Sequence, residues 1–219
     1  MSPPARPAAG GGRWVDVTAE RLDRFLGGFA ERHGEVAVSA TPHSVRLSAA
    51  DGATAECEVP FPPLDVDAQA AYGGLVTHVV RDRRVGVLLV RRGGFAAGVF
   101  DGVRLVGSKV GSRHVQGRTA AGGWSQQRFA RRREGQTRVA SSAAADAAAA
   151  VLLPHCEDLD AIVAGGDRSV CDDVLRDARL APLLPLLVER RLDVPEPRQR
   201  VLESTPASFR GVRVRLHDP

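Results

Sequence analysis

Residues 85–110 read VGVLLVRRGGFAAGVFDGVRLVGSKV, three apolar runs separated by two glycine-containing turns. Short runs rich in valine, leucine and phenylalanine that are bounded by glycine turns are typical of antiparallel strands. The predicted strands are Val85–Val90, Ala96–Phe100 and Val103–Val110, joined by the turns Arg92-Gly93-Gly94 and Asp101-Gly102. This stretch therefore predicts a three-stranded meander at the centre of the fold.

The residues after the meander alternate between predicted helices and strands. A loop rich in Gly, Arg and Gln over Gly111–Gly123 leads into a helix from about Trp124 to Leu152. The face of that helix predicted to pack on a sheet carries Val139, Ala143, Ala147 and Val151. The later predicted elements are a strand at Leu159–Val163, an exit turn at Gly165-Gly166, a helix at Ser169–Ala178 and a last strand at Val212–Leu216. This alternation predicts an α/β domain with a mixed sheet, α+β overall.

The residues before the meander predict a smaller α+β segment. Leu22, Phe25, Leu26 and Phe29 recur at helical spacing, which predicts a helix from Thr18 to His33-Gly34. Short predicted strands follow at Val36–Ser39, Val45–Leu47 and Ala53–Val59, the last two joined by a turn at Asp51-Gly52. The prolines of residues 60–63 mark a boundary, after which a helix over Asp67–Val80 opens the main domain. The predicted organisation is a disordered segment 1–13, a small α+β segment 14–63 and a main domain 64–219.

The positive charge of the chain is concentrated in one segment. The formal net charge is +4 over 219 residues, but residues 104–138 contain nine positive residues against Glu134 alone, 9 − 1 = +8. A local field of this size favours polyanions, above all nucleic acid; a solvated basic helix face is the alternative. The residues predicted to contact RNA are Lys109, Arg113, Arg118, Trp124, Arg128, Arg131, Arg132 and Arg133.

The cysteine pattern and hydropathy exclude several classes of protein. Cys57, Cys156 and Cys171 are isolated and show no Cys/His spacing, so neither a metal site nor a disulfide framework is predicted. No apolar run approaches transmembrane length, and no secretory signal is recognisable at the N-terminus. We therefore expect a cytoplasmic protein without membrane association, monomeric and without a cofactor.

The segment with the clearest chemical meaning is residues 122–133, GGWSQQRFARRR. Consecutive glycines allow the backbone to approach a ligand closely. A basic loop before a helix can meet phosphates through arginine side chains and free N–H groups. A glutamine amide both donates and accepts hydrogen bonds without carrying charge, which suits it to orient a water molecule beside an ester.

This segment closely resembles the catalytic loop of eukaryotic and archaeal class-1 release factors, in which Gly-Gly-Gln-Ser is followed, after two variable residues, by Arg-Phe-Ala-Arg. The resemblance covers roughly residues 67–190 and includes the strands before the loop and the strand and turn at Ile162–Gly166. It implies a fold like that of the release-factor catalytic domain.

One position departs from the release-factor pattern. Trp124 stands where the family has glutamine, and glutamines follow at Gln126 and Gln127. A displaced glutamine resembles the Vms-like release-factor branch, a ribosome-rescue family. That resemblance implies Gln126 as the catalytic glutamine beside Gly122 and Gly123, with Gln127 as the second candidate.

The resemblance implies peptidyl-tRNA hydrolysis on stalled large ribosomal subunits, with the large subunit and peptidyl-tRNA as partners. The first seventy residues show no codon-reading module, so rescue is expected rather than stop-codon decoding. Two alternatives remain open. One is cleavage of tRNA near its acceptor end, and the other is a non-catalytic ribosome- or RNA-binding module, suggested by Trp124.

Overall fold

The computed structural model describes residues 6–8, 11–112 and 141–219. The chain forms two compact units, one of Met1–Arg81 with Pro206–Pro219 and one of Asp82–Thr205. The division thus differs from the boundary predicted at residues 63/64. The physical reason is packing, because Leu64, Leu75 and Val79 are buried in the core of the first unit, together with Val212, Val214 and Leu216 from the end of the chain.

The first unit contains an antiparallel sheet. Its strands within the described ranges are β1 (Arg6–Pro7), β2 (Arg13–Val17), β3 (Val36–Ala40), β4 (Ser44–Ala49), β5 (Thr54–Glu58) and β10 (Val212–His217). They lie in the order β1-β2-β10-β5-β4-β3. Strand β10 is inserted between β2 and β5, where Val214 lies opposite Val15 on one side and Cys57 on the other. The pairing of Arg6–Pro7 with β2 shows that the prediction of disorder over residues 1–13 is wrong for these residues.

Helix α1 (Ala19–His33) covers one face of this sheet. Its buried residues include Leu22, Leu26 and Phe29, as the helical spacing predicts, and Gly34 with φ 81° ends the helix by donating its N–H to Ala30 O. A second helix, α2, covers only Leu75–Val80. The predicted helix over Asp67–Val80 is therefore wrong in its first half, because Tyr72, Gly73 and Gly74 all have positive φ and no α-helix continues through them.

The second unit is built on a mixed sheet. Strands β6 (Arg84–Arg91), β7 (Gly94–Asp101) and β8 (Arg104–Ser112) form the predicted antiparallel meander, and β9 (Ala161–Gly166) pairs in parallel with β6. Among the described strands the order is β8-β7-β6-β9. Strand β9 begins two residues later and ends three residues later than predicted, so Gly165-Gly166 belongs to the strand itself.

Helices pack on both faces of this second sheet. Residues 141–152 form the described part of helix α3, and its buried side chains include Ala144, Ala145, Ala148 and Leu152. The packing face is therefore shifted by about one residue from the predicted one, although Ala147 is buried as expected. Helix α4 (Arg168–Leu175) ends earlier than predicted and is followed by a 3-10 helix at Ala178–Leu186. Two further short helices are α5 (Gln199–Glu203) in the second unit and α6 (Pro206–Phe209) in the first.

These elements confirm the predicted fold class, a mixed α+β chain with a mixed sheet and helices. Within the described part of the chain, none of the helices has both the length and the apolar character needed to cross a membrane. Cys57, Cys156 and Cys171 are free thiols, and burial raises the pKa of the Cys57 thiol to about 12.

Candidate functional site

Most of the predicted site residues fall in residues 113–140, which lie outside the described ranges. These are Arg113, Arg118, Gly122, Gly123, Trp124, Gln126, Gln127, Arg128, Arg131, Arg132 and Arg133. Of the predicted site residues the structure describes Lys109, on strand β8. The described residues therefore show the scaffold from which the segment 113–140 leaves and to which it returns.

Lys109 is exposed and projects from β8 on the same side as its β7 partner, Ala97. Its neighbours two residues along the strand on that side are Gly107 and Gly111. The ring of Phe95 lies over Gly111, whereas a Cβ on Gly107 would meet no atom within 4 Å. The lysine is thus placed beside open space on the Gly107 side.

Strand β8 is held to β7 along its whole length. The register runs from Asp101 opposite Arg104 to Gly94 opposite Ser112, with one irregularity between Val99 and Phe100. β8 lies at the edge of the sheet formed by the described residues, and Val106 and Val110 on it are exposed. The main chain thus leaves the sheet at Ser112 from a firmly paired strand.

The chain returns from residue 140 into α3, which is packed against the same sheet. Ala144, Ala145 and Ala148 share one buried cluster with Leu88 and Ala97 of β6 and β7. Small side chains allow a helix axis to approach its partner closely. On the surface, Asp146 of α3 accepts a hydrogen bond from the Nη1 of Arg179 at 2.8 Å. Both flanks of the segment 113–140 are therefore anchored to one rigid element.

A second feature, which the sequence analysis missed, lies where the parallel strands β6 and β9 end. It is a cleft of about 990 Å³, called here the arginine cleft, whose charged lining residues are Arg91, Arg92, Asp167, Arg168, Asp172 and Glu196. In sheets with parallel strands, ligands bind preferentially beyond the carboxyl ends of the strands. The sequence signal was the pair Arg91-Arg92 at the end of β6 and the pair Asp167-Arg168 directly after β9.

Ion pairs bind two of the acidic side chains that line the arginine cleft. Arg91 binds Asp167 at 3.3 Å and donates to Val194 O at 2.8 Å. The carboxylate of Asp167 also accepts the backbone N–H of Arg92 at 3.3 Å. Asp172 is bound by Arg191 at 2.6 Å. Two of the three acidic groups are thus already neutralised by neighbouring arginines.

The glycines before the cleft have structural roles. Gly165 is packed between Leu89 and Leu192, where a Cβ would come within 3.0 Å of both. Gly166 has φ 97°, and a Cβ there would lie 2.2 Å from Val90 O. The buried thiol of Cys171 donates to Gly165 O at 3.1 Å, and its pKa is raised by burial. These contacts identify Gly165 and Gly166 as tightly packed residues at the end of β9, and Cys171 as a structural thiol.

The sequence profile of the Actinobacteria/chloroflexi VLRF1 release factor family matches residues 83–215. This range includes the whole second unit from β6 onward and the segment 113–140. The chain belongs to this family. The resemblance inferred from residues 122–133 is thereby confirmed at the level of the family.

Two solved structures are similar to this VLRF1 family member at low identity. The archaeal translation termination factor aRF1 matches with 15% identity and a TM-score of 0.44, over 75% of this chain and 51% of that one. A structure described as an archaeal protein matches with 16% identity and a TM-score of 0.36 over the same shares. The chain thus spans about half the length of each. No curated protein matches the sequence.

The description of this family identifies its members as release factors. Within the described parts of this VLRF1 family member, no group of three or more His, Cys, Asp or Glu side chains is arranged to hold a metal ion.

Proposed function

We propose that this protein is a ribosome-associated peptidyl-tRNA hydrolase that releases nascent peptides from stalled large ribosomal subunits. The observation that carries the proposal is the family match, which spans the segment with Gly122-Gly123 and Gln126. The anchoring of both flanks of that segment on one sheet supports it, because a catalytic group that acts inside the ribosome has to be held by a rigid base.

In the proposed reaction, water attacks the ester carbonyl that joins the peptide to the tRNA ribose. The carbonyl carbon gains a bond to the water oxygen, the ester bond to the ribose oxygen breaks, and that oxygen takes up a proton. Gln126 accepts a hydrogen bond from the attacking water and thereby orients it, and Gln127 is the second candidate for this role. The protein contributes positioning, which accounts for up to about 7–11 kcal/mol of a barrier in well-oriented systems.

The second candidate activity, cleavage of tRNA near its acceptor end, is favoured by the arginines around the same glutamines. There a 2′-hydroxyl gives up its proton and bonds to the neighbouring phosphorus, while the bond to the 5′-oxygen of the next nucleotide breaks and that oxygen takes up a proton. Arginine side chains stabilise the charge that develops on the phosphate oxygens. The third candidate is a non-catalytic binding module.

The deciding experiment uses purified large subunits loaded with peptidyl-tRNA, with peptide and tRNA analysed after incubation with the protein. We expect free peptide and a tRNA with an intact CCA end. A shortened tRNA would establish the nuclease instead, and ribosome binding without any cleavage would establish the binding module.

Binding to the large subunit is predicted to weaken steeply with salt, because each neutralised phosphate releases counterions. The triple variant Arg131→Glu, Arg132→Glu, Arg133→Glu is expected to lower affinity by at least tenfold at about 0.1 M salt and to flatten the salt dependence. Sedimentation of the protein with large subunits over a salt series measures both.

A matched control reverses three exposed arginines elsewhere in the second unit, Arg176, Arg198 and Arg200, to glutamate. It changes the net charge by the same amount, so an equal loss of binding in both triple variants would show that total charge, rather than the basic segment, controls association.

A further inference from the structure

The arginine cleft lies at the end of the sheet where β6, β8 and β9 finish. The segment 113–140 leaves β8 at this same end. Ser112, the last residue of β8, lies opposite Gly94, and Gly94 lies opposite Arg91 at the end of β6. On its other side β6 ends beside Gly166 of β9. Three strand spacings of about 4.8 Å separate β8 from β9, so the end of β8 and the end of β9 lie roughly 14 Å apart.

The charges in the cleft leave two guanidinium groups available. Asp167 is bound by Arg91 and Asp172 by Arg191, so these four charges cancel. Arg92 and Arg168 are exposed, and neither side chain has a hydrogen-bond or ion-pair partner in the ranges that the structure describes. The single remaining carboxylate of the lining is that of Glu196.

Glu196 lies against the turn between β6 and β7. A Cβ on Gly93 would lie 2.6 Å from its Oε1, and a Cβ on Gly94 would lie 2.9 Å from the same atom. The carboxylate thus lies against the turn backbone in space that only glycine leaves free. Ser169, the residue after Arg168, adds an exposed hydroxyl to the lining.

We propose that the arginine cleft binds a phosphate group through Arg92, Arg168 and the Ser169 hydroxyl. The planar guanidinium group of one arginine can donate two parallel N–H bonds to two oxygens of a phosphate. Two arginines at one cleft can therefore bind a phosphate specifically. The cleft lies at the same end of the sheet as Ser112, where the predicted RNA-binding segment begins. We therefore assign the phosphate to the backbone of the RNA to which the protein docks, and in this respect the proposal rests on the proposed function. A free phosphate or nucleotide presents the same chemistry.

The test compares the full-length protein with the double variant Arg92→Ala, Arg168→Ala. The probe is an RNA hairpin with a single-stranded CCA end, titrated over a salt series. The double variant is expected to bind about 5–20-fold more weakly at 0.1 M salt, and the slope of log affinity against log salt is expected to fall by about 1. The double variant Arg176→Ala, Arg200→Ala removes the same charge from other exposed positions and is expected to change affinity less than twofold.

A second arm titrates inorganic phosphate and follows the backbone amide signal of Ser169 by NMR. A saturable shift in the unmodified protein that disappears in the cleft variant, with RNA binding unchanged, would identify free phosphate or a nucleotide as the source. Unchanged RNA binding together with no specific shift would overturn the proposal. Circular dichroism confirms that each variant is folded, and Arg92→Lys, Arg168→Lys is expected to retain part of the affinity.

The cleft and the hydrolase proposals fail separately. Normal RNA binding in the cleft variant with loss of peptide release in Gln126→Ala removes the cleft and leaves the hydrolase. Weakened RNA binding in the cleft variant with full peptide release in Gln126→Ala supports the phosphate site in the cleft and removes the glutamine mechanism of the hydrolase.

Discussion

Gln126→Ala is expected to lower the rate of peptide release from large subunits carrying peptidyl-tRNA by about 10²–10³-fold, the usual effect of removing one preorganised polar group from a site with little water. Binding to the subunit and the circular dichroism spectrum are expected to stay unchanged, because the amide is proposed only to orient the attacking water. Single-turnover release with saturating protein measures the effect without a contribution from binding.

Gln127→Ala is the matched control, since on the helix that the sequence predicts from about Trp124 neighbouring residues would point about 100° apart and not reach the same target. It is expected to lower the rate much less. Trp124→Gln recreates the Gly-Gly-Gln pattern and is expected not to restore full release to Gln126→Ala. Loss of release in Gln127→Ala alone would move the catalytic role by one residue, and full release in both single variants would exclude a glutamine mechanism.

Gly166→Ala is expected to destabilise the protein by about 3 kcal/mol or more. The residue has φ 97°, and a Cβ would lie 2.2 Å from Val90 O, so the backbone of β6 or β9 has to move. Strained backbone at one residue costs about 1–3 kcal/mol, and displacement of a buried strand adds to it. The midpoint of urea denaturation, followed by circular dichroism, measures the loss.

Gly107→Ala provides the comparison for this substitution. Gly107 lies in β8, and a Cβ there would meet no atom within 4 Å. Its effect on the free energy of unfolding is expected to stay within about 0.5 kcal/mol, because the added methyl group has room. Equal urea midpoints for the two variants would show that the end of β9 at Gly166 tolerates a side chain.

The elements that the sequence predicted correctly are those whose formation is determined by residues close together in the chain. The meander of β6 to β8 follows from apolar runs and glycine turns, and α1 follows from the helical spacing of Leu22, Leu26 and Phe29. The glycine-glutamine segment was recognised because its pattern is local and specific, and the family match confirms the recognition.

The features that the sequence did not reveal depend on contacts between distant residues. The unit boundary is set by β10 pairing with β2 and β5, which no local pattern encodes. The helix over Asp67–Val80 was over-extended because the positive φ of Tyr72 is fixed by its surroundings rather than by its residue type. The arginine cleft joins Arg92 with Arg168 across a parallel strand pair, and a parallel register cannot be deduced without the fold.

The position of β10 inside the first sheet also constrains how this protein is made. Strands β2 and β5 each depend on β10 for the hydrogen bonds of one side, yet β10 is synthesised after the entire second unit. During translation the first unit therefore has two unpaired strand edges, while the second unit, continuous in sequence, can fold as soon as it has emerged. Folding of the first unit has to wait for contacts between residues far apart in the chain, which are slow to form. A protein that we propose to act on stalled ribosomes thus completes its own first unit only when residues 212–217 have left the ribosome that makes it.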